Sequence, residues 1–235
     1  MSDWPVLSTP ERRVLGVLVE KQKTTDTYPL TLNSLVTGCN QKSNRDPLLD
    51  LDDAQVEDAM VSVQKKGLVM RVISGRVDKW KHQLYENWHV AGVELAVLAE
   101  LLLRGPQTEG ELRGRASRMD DIADVDALRA VLKPLAERKL VVYLSPEGRR
   151  GTVVTHGFHE PQELSRLKAH FANAGSEPDV SIPAPHAAAP RVDLSPLETR
   201  LNEAHSKIAA LQVEVARLTA VVQQIQKDLG IAVQP

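Results

Sequence analysis

Hydrophobic positions along the chain follow a helical spacing first and then a strand spacing, and the same succession occurs twice. Ser8-Thr9-Pro10-Glu11 combines a capping serine with a glutamate three residues on and a proline in the first turn, which predicts a helix start. Val14, Leu15, Leu18 and Val19 continue at helical spacing, so a first helix is expected over about 9–22. Leu30, Leu32, Leu35 and Val36 predict a short second helix that Gly38 can stop. After a polar loop from Asn40 to Pro47, Asp52 or Asp53 caps a third helix, whose stripe is Val56, Ala59, Met60 and Val63 and whose end is Gly67. Leu68 to Ile73 and Val77 to Tyr85 then read as the two strands of a hairpin that turns at Ser74-Gly75. Three helices and a hairpin predict a winged helix.

The succession returns at offsets of 80, 77 and 72 residues. Leu95 to Glu100 answer Leu15 to Glu20, Pro106-Gln107-Thr108 answer Pro29-Leu30-Thr31, and Leu128, Val131, Leu132 and Leu135 answer the third-helix stripe. A second hairpin is expected over Leu140–Leu144 and Thr152–Phe158, with Asp120-Asp121 read as helix caps and one more helix from Glu160 to Phe171. The expected organisation is therefore mainly α with small β-hairpins. Two tandem winged-helix domains occupy 7–89 and 90–173, and a Pro- and Ala-rich linker spans 174–196. Beyond it, Leu201, Ile208, Val215, Val222 and Leu229 recur every seven residues, with Leu197, Ala204, Leu211, Leu218 and Ile225 on the second seam. β-branched residues on one seam and leucines on the other predict a parallel two-stranded coiled coil over 197–229, about 50 Å long. Leu201, Ile208, Leu211, Val215, Leu218, Val222 and Ile225 would then hold a homodimer. A single amphipathic helix folded back on its own body is the alternative.

Composition narrows what these domains can do. Aromatic residues make up 3 % of the chain, so the cores rest on aliphatic packing. Residues 1–89 carry 12 basic and 12 acidic side chains, as do residues 90–173. Affinity for duplex DNA must then come from a local basic patch on a neutral body. The single cysteine, Cys39, has no disulfide partner within the chain and no companions for a metal knuckle, and it reads as a small buried hydrophobe of a reducing compartment. No secretory leader is visible and no window nears eighteen uninterrupted apolar residues, so a cytoplasmic location without membrane contact is expected.

The stretches Thr27-Tyr28-Pro29-Leu30-Thr31-Leu32-Asn33-Ser34-Leu35-Val36 and Cys39-Asn40-Gln41-Lys42-Ser43-Asn44-Arg45-Asp46-Pro47 resemble the YceH family of bacterial proteins. The likeness continues through Lys66-Gly67-Leu68-Val69, Lys79-Trp80-Lys81-His82 and Leu102-Leu103-Arg104-Gly105-Pro106-Gln107-Thr108, and it covers about residues 7–160. The resemblance implies a tandem winged-helix body, often with a coiled coil, and brings no catalytic residues. One departure lies in the second hairpin, where Val154 stands two residues before His156 in place of an aromatic residue.

Candidate contacts for duplex DNA or a protein partner are Lys42 and Arg45 in the loop, and Gln55, Ser62 and Lys65 on the outer face of the third helix. Arg76, Lys79, Trp80, Lys81 and His82 of the first hairpin complete the set. Against the DNA reading, Glu57 and Asp58 place negative charge on the same helix, and Asp124 and Asp126 do so on its counterpart. Asn40 to Asp46 can equally bond its own backbone in turns. His156 and His159 lack the cysteine or clustered carboxylates that a zinc site needs, and no phosphate loop, nucleophile elbow or acid pair is present. The expected function is non-enzymatic and cofactor-free: a dimeric DNA-binding regulator or chromosome-associated adaptor, or alternatively a protein-interaction scaffold that binds no nucleic acid.

Overall fold

A computed structural model describes residues 4–73, 77–149 and 151–174. Ser8 begins α1 (Thr9–Thr24) by the expected reciprocal cap: its Oγ accepts from the Glu11 amide, and Glu11 Oε2 accepts from the Ser8 amide at 2.7 Å. α2 (Leu32–Cys39) and α3 (Asp53–Lys65) follow. Asp52 caps α3 in the same reciprocal way with Gln55, and Gly67 leaves it in the left-handed region at φ 75°, which glycine adopts without steric cost. Strands β1 (Val69–Val72) and β2 (Lys79–His82) pair antiparallel, with Val69 opposite His82.

The return strand is shorter than the alternation through Tyr85 predicts. It ends at His82, and Leu84–Trp88 form a short helix, α4. Leu84 and Trp88, four residues apart and both buried, draw that turn onto the core.

The second succession comprises α5 (Gly92–Arg104), β3 (Gln107–Thr108), α6 (Glu109–Ala116), α7 (Val125–Glu137), β4 (Val141–Tyr143) and β5 (Val153–His156), and α8 (Pro161–Ala174) closes the described chain. Asp124, not Asp120-Asp121, caps α7, its Oδ1 accepting from the Ala127 amide. Asp120 instead pairs with Lys23 at 2.9 Å. The sheet order is β3-β5-β4, with Gln107 opposite Val154 and Val141 opposite His156. Leu30 exchanges two backbone hydrogen bonds with Trp80, of 3.1 and 2.7 Å. It thus occupies beside β2 the place that Gln107 takes beside β5. The architecture is helix-rich α+β with small antiparallel sheets.

Both halves share one continuous apolar core. At its centre α1 packs on α5, where a Cβ added to Gly16 would lie 2.7 Å from Leu103 Cγ. Residues before α1 are held by the other half: Trp4 Nε1 donates to the Arg138 carbonyl at 2.6 Å, and the Leu7 amide donates to the Phe158 carbonyl at 2.9 Å. Trp88 stacks on Phe158 with ring centroids 4.6 Å apart. The expected coiled-coil seam, with Leu201, Ile208, Leu211, Val215, Leu218, Val222 and Ile225, lies outside the described residues.

Candidate functional site

Strand alternation divides the basic hairpin. Trp80 and His82 point into the protein, at 6 % exposure each, whereas Lys79 and Lys81 occupy the other face. Trp80 packs under the guanidinium of Arg71, 5.9 Å from its ring centroid, and Arg71 in turn pairs with Asp78. Nε2 of His82 meets Gln22 Oε1 at 2.6 Å, and its Nδ1 accepts from the Leu84 amide at 3.3 Å. Burial lowers the imidazole pKa to about 4. Neither ring reaches a partner's surface, so the expectation that Trp80 and His82 form contacts is corrected. Arg76 lies outside the described residues.

Arg45 is also buried, at 5 % exposure. It pairs with Glu20 at 2.6 Å and donates to the Gly38 carbonyl and Gln41 Oε1. It therefore braces the 40–47 loop from inside and is not a surface contact. Two glutamates at equivalent places in α1 and α5, Glu20 and Glu100, both receive Arg118, at 3.6 and 3.1 Å, and Glu100 also holds Arg104 at 2.9 Å. These paired charges pin loop and helices together in the interior, where a guanidinium without an acceptor would be costly.

Of the remaining candidates, Lys42, Gln55 and Lys65 are exposed, although Gln55 is engaged in the α3 cap. Ser62 is half-buried and turns toward α1, donating to Glu11 Oε1 at 2.6 Å, so its hydroxyl is already used within the chain. Lys66 pairs with the same carboxylate. Burial pushes the Glu11 carboxyl up, but hydrogen bonds from Lys66, Ser62 and Ser8 outweigh it and hold it below its ordinary value. Asp53, Glu57 and Asp58 are exposed on α3.

A cavity of about 490 Å³ lies where α1, the 45–47 turn, the end of α5, β5 and α8 converge. Arg12 forms its charged wall. Its Nη1 and Nη2 donate to the two Glu163 oxygens, each at 2.9 Å. His159 stacks on His156 with centroids 3.8 Å apart, lies 3.0 Å from Glu163 through Nδ1, and meets Thr155 Oγ1 through Nε2 at 2.8 Å. Arg12 Nη1 also lies 3.2 Å from Nδ1, and the Thr155 hydroxyl can donate to or accept from Nε2, so either tautomer of neutral His159 finds partners here.

His156 is fully buried and has two polar neighbours: the Phe158 amide, 3.2 Å from Nδ1, and Arg12 Nη1, 3.5 Å from Nε2. Burial, with His159 and Arg12 beside it, holds His156 well below the ordinary histidine range. His159 is likewise lowered by burial, against the raising effect of Glu163. Arg13, 1 % exposed, donates to the carbonyls of Cys39 and Pro47, while its buried Nε has no partner. The apolar lining includes Leu102, Pro106, Leu167 and Phe171. Among the described residues no group of three or more His, Cys, Asp or Glu side chains is placed to hold a metal ion, and no helix is long and apolar enough to cross a membrane.

Sequence reading missed this cavity because Arg12 and Glu163 are 151 positions apart. The one local signal is a charged pair, Arg12-Arg13, near the start of a helix whose next seven positions, 14–20, are all buried.

A profile described as "Protein of unknown function, DUF480" matches residues 7–150. A UPF0502 protein of Rhodopirellula baltica is 45 % identical over 184 residues, covering 77 % of this chain and 76 % of its own length. A UPF0502 protein of Geobacter sulfurreducens is 43 % identical over 220 residues, covering 91 % and 90 %, and one of Hahella chejuensis is 40 % identical over 226 residues, covering 92 % and 98 %. The chain thus belongs to the DUF480/UPF0502 family of uncharacterised bacterial proteins, in agreement with the YceH-like resemblance of its loop and hairpin motifs.

Proposed function

We propose that this is a non-enzymatic, cytoplasmic protein of two tandem winged helices that dimerises through a coiled coil over 197–229 and receives another protein on its first half. The observation that carries this reading is the charge of α3. Asp53, Glu57 and Asp58 are exposed where a DNA-reading helix would approach phosphate. Coulomb repulsion opposes a duplex there and favours a partner with basic side chains. The neighbouring hairpin offers Ile73 and Val77, 84 % and 58 % exposed, as apolar contacts beside those acids. DNA binding is the second reading, favoured by Lys65, Lys79 and Lys81, with Arg76 added from the sequence.

Two measurements on the full chain separate them. A photo-crosslinking residue at position 57 should capture a discrete heterologous protein in cells, and reversing the charge of Asp53 and Asp58 should abolish the adduct. Retention on genomic fragments should be negligible even at low salt. Salt-sensitive retention that falls when Lys79 and Lys81 are neutralised would establish the DNA reading instead.

A further inference from the structure

The two halves carry equivalent histidines with unequal surroundings. His82 and His156 stand opposite Val69 and Val141 in their hairpins, and each accepts through Nδ1 from the amide two residues on. In the first half Nε2 has an acceptor, Gln22 Oε1. At the offset of 80 that relates α1 to α5, the counterpart of Gln22 is Leu102, which offers no polar atom and lines the cavity.

The polar neighbour left to His156 Nε2 is Arg12 Nη1. A backbone amide and a guanidinium are both obligate donors, and a neutral imidazole has one acceptor nitrogen. The shorter contact, from Phe158, takes Nδ1. Nε2 then carries a proton that faces another donor in a fully buried site. Such an unsatisfied donor is costly and calls for an acceptor from outside the chain.

Arg13 supplies a second, independent demand. Its guanidinium is buried against two neutral carbonyls, and no carboxylate stands within ion-pair distance of it among the described residues. Nε remains without a partner. Arg104, on the same wall, is paired with Glu100 and donates to Asn44. The carboxylates that line the cavity are Glu163, engaged by Arg12, and Asp46 at the rim.

From these two features we infer that the cavity binds a small organic oxyanion, a carboxylate or a phosphate monoester, whose oxygens accept from His156 Nε2 and answer the charge of Arg13. Its apolar body lies against Leu102, Leu167 and Phe171. A volume of about 490 Å³ falls within the range of small-molecule sites, roughly 300–1,000 Å³. Because the walls come from both halves and from α8, an occupant would tie them together.

Calorimetric titration of the full chain with phenyl phosphate and with benzoate, against benzyl alcohol as a neutral control of similar shape, tests this. At least one oxyanion should bind and raise the melting temperature, and the alcohol should not; which one binds tells phosphate from carboxylate. Leu102→Gln restores the internal acceptor of the first half and should weaken binding at least tenfold while preserving the circular dichroism spectrum. Phe171→Ala, at the half-exposed rim, should weaken it without touching the buried polar groups, and serves if Leu102→Gln fails to fold. Absence of binding by both oxyanions, equal binding of the alcohol, or undiminished affinity in both variants would overturn the inference.

Discussion

Gly16 and Leu103 interlock where α1 meets α5: a Cβ on the glycine would lie 2.7 Å from Leu103 Cγ and 2.9 Å from its Cδ2. Leu103 is fully buried, so it has little room to retreat. Gly16→Val should therefore destabilise the protein by about 1–3 kcal/mol despite relieving the helix of a flexible residue. Urea denaturation gives the value, and an unchanged midpoint would mean that the crossing is looser than described.

The two cations of the 40–47 loop should respond differently. Arg45→Met removes the buried partner of Glu20 and should cost about 3–5 kcal/mol. Lys42 is exposed, and Lys42→Ala should stay within about 0.5 kcal/mol. Similar effects of the two substitutions would refute the assignment of Arg45 to the interior.

Acid should weaken the fold through its buried histidines. The folded-state pKa of His82 is lowered by burial to about 4, from an ordinary 6.5, so the unfolded chain takes up the proton first. Stability from this group is complete above about pH 6.5 and is lost as pH falls toward 4, by about 3 kcal/mol in all. His156 and His159 shift in the same direction and add to the slope. Denaturation midpoints at about pH 7 and pH 5 should differ accordingly, and His82→Gln should flatten the difference.

Cys39 should be chemically silent in the native protein. It is fully buried, and burial pushes its thiol up to about 12, whereas thiol reagents attack the thiolate. Ellman's reagent should label it only after denaturation. Prompt native labelling would show that α2 opens readily.

On the proposed dimerisation, the full chain should be a dimer in light scattering and deletion of residues 190–235 should leave a monomer, because the heptad pattern of Leu201, Ile208, Leu211, Val215, Leu218, Val222 and Ile225 lies there. A dimer that persists would transfer the interface to the folded body.

Local chemistry was legible in the chain, and long-range chemistry was not. The Ser8–Glu11 cap, the left-handed Gly67 and the buried Cys39 follow from short-range rules and are all present. α4 escaped because Trp80 through Tyr85 alternates like a strand, and only tertiary burial of Leu84 and Trp88 bends it into a helical turn. Arg45, Trp80 and His82 resemble surface contacts in the sequence because polar or amphipathic types in a loop or hairpin are read as exposed. Their partners Glu20, Leu30 and Gln22 come from earlier segments. Glu20 itself was the overlooked signal: a carboxylate following Val17, Leu18 and Val19, all fully buried, requires a cation in the interior.

The hydrogen bonds from Trp4 to Arg138 and from Leu7 to Phe158 bear on the order of events during synthesis. A ribosome makes residues 4–7 well before their acceptors, so in a nascent chain ending after the first hairpin the Trp4 indole and the Leu7 amide lack the carbonyls they meet in the finished protein. That apolar segment cannot complete its contacts until residue 158 has emerged, and during this interval it is open to chaperones and to misassembly. The second half thus completes the folding of the first.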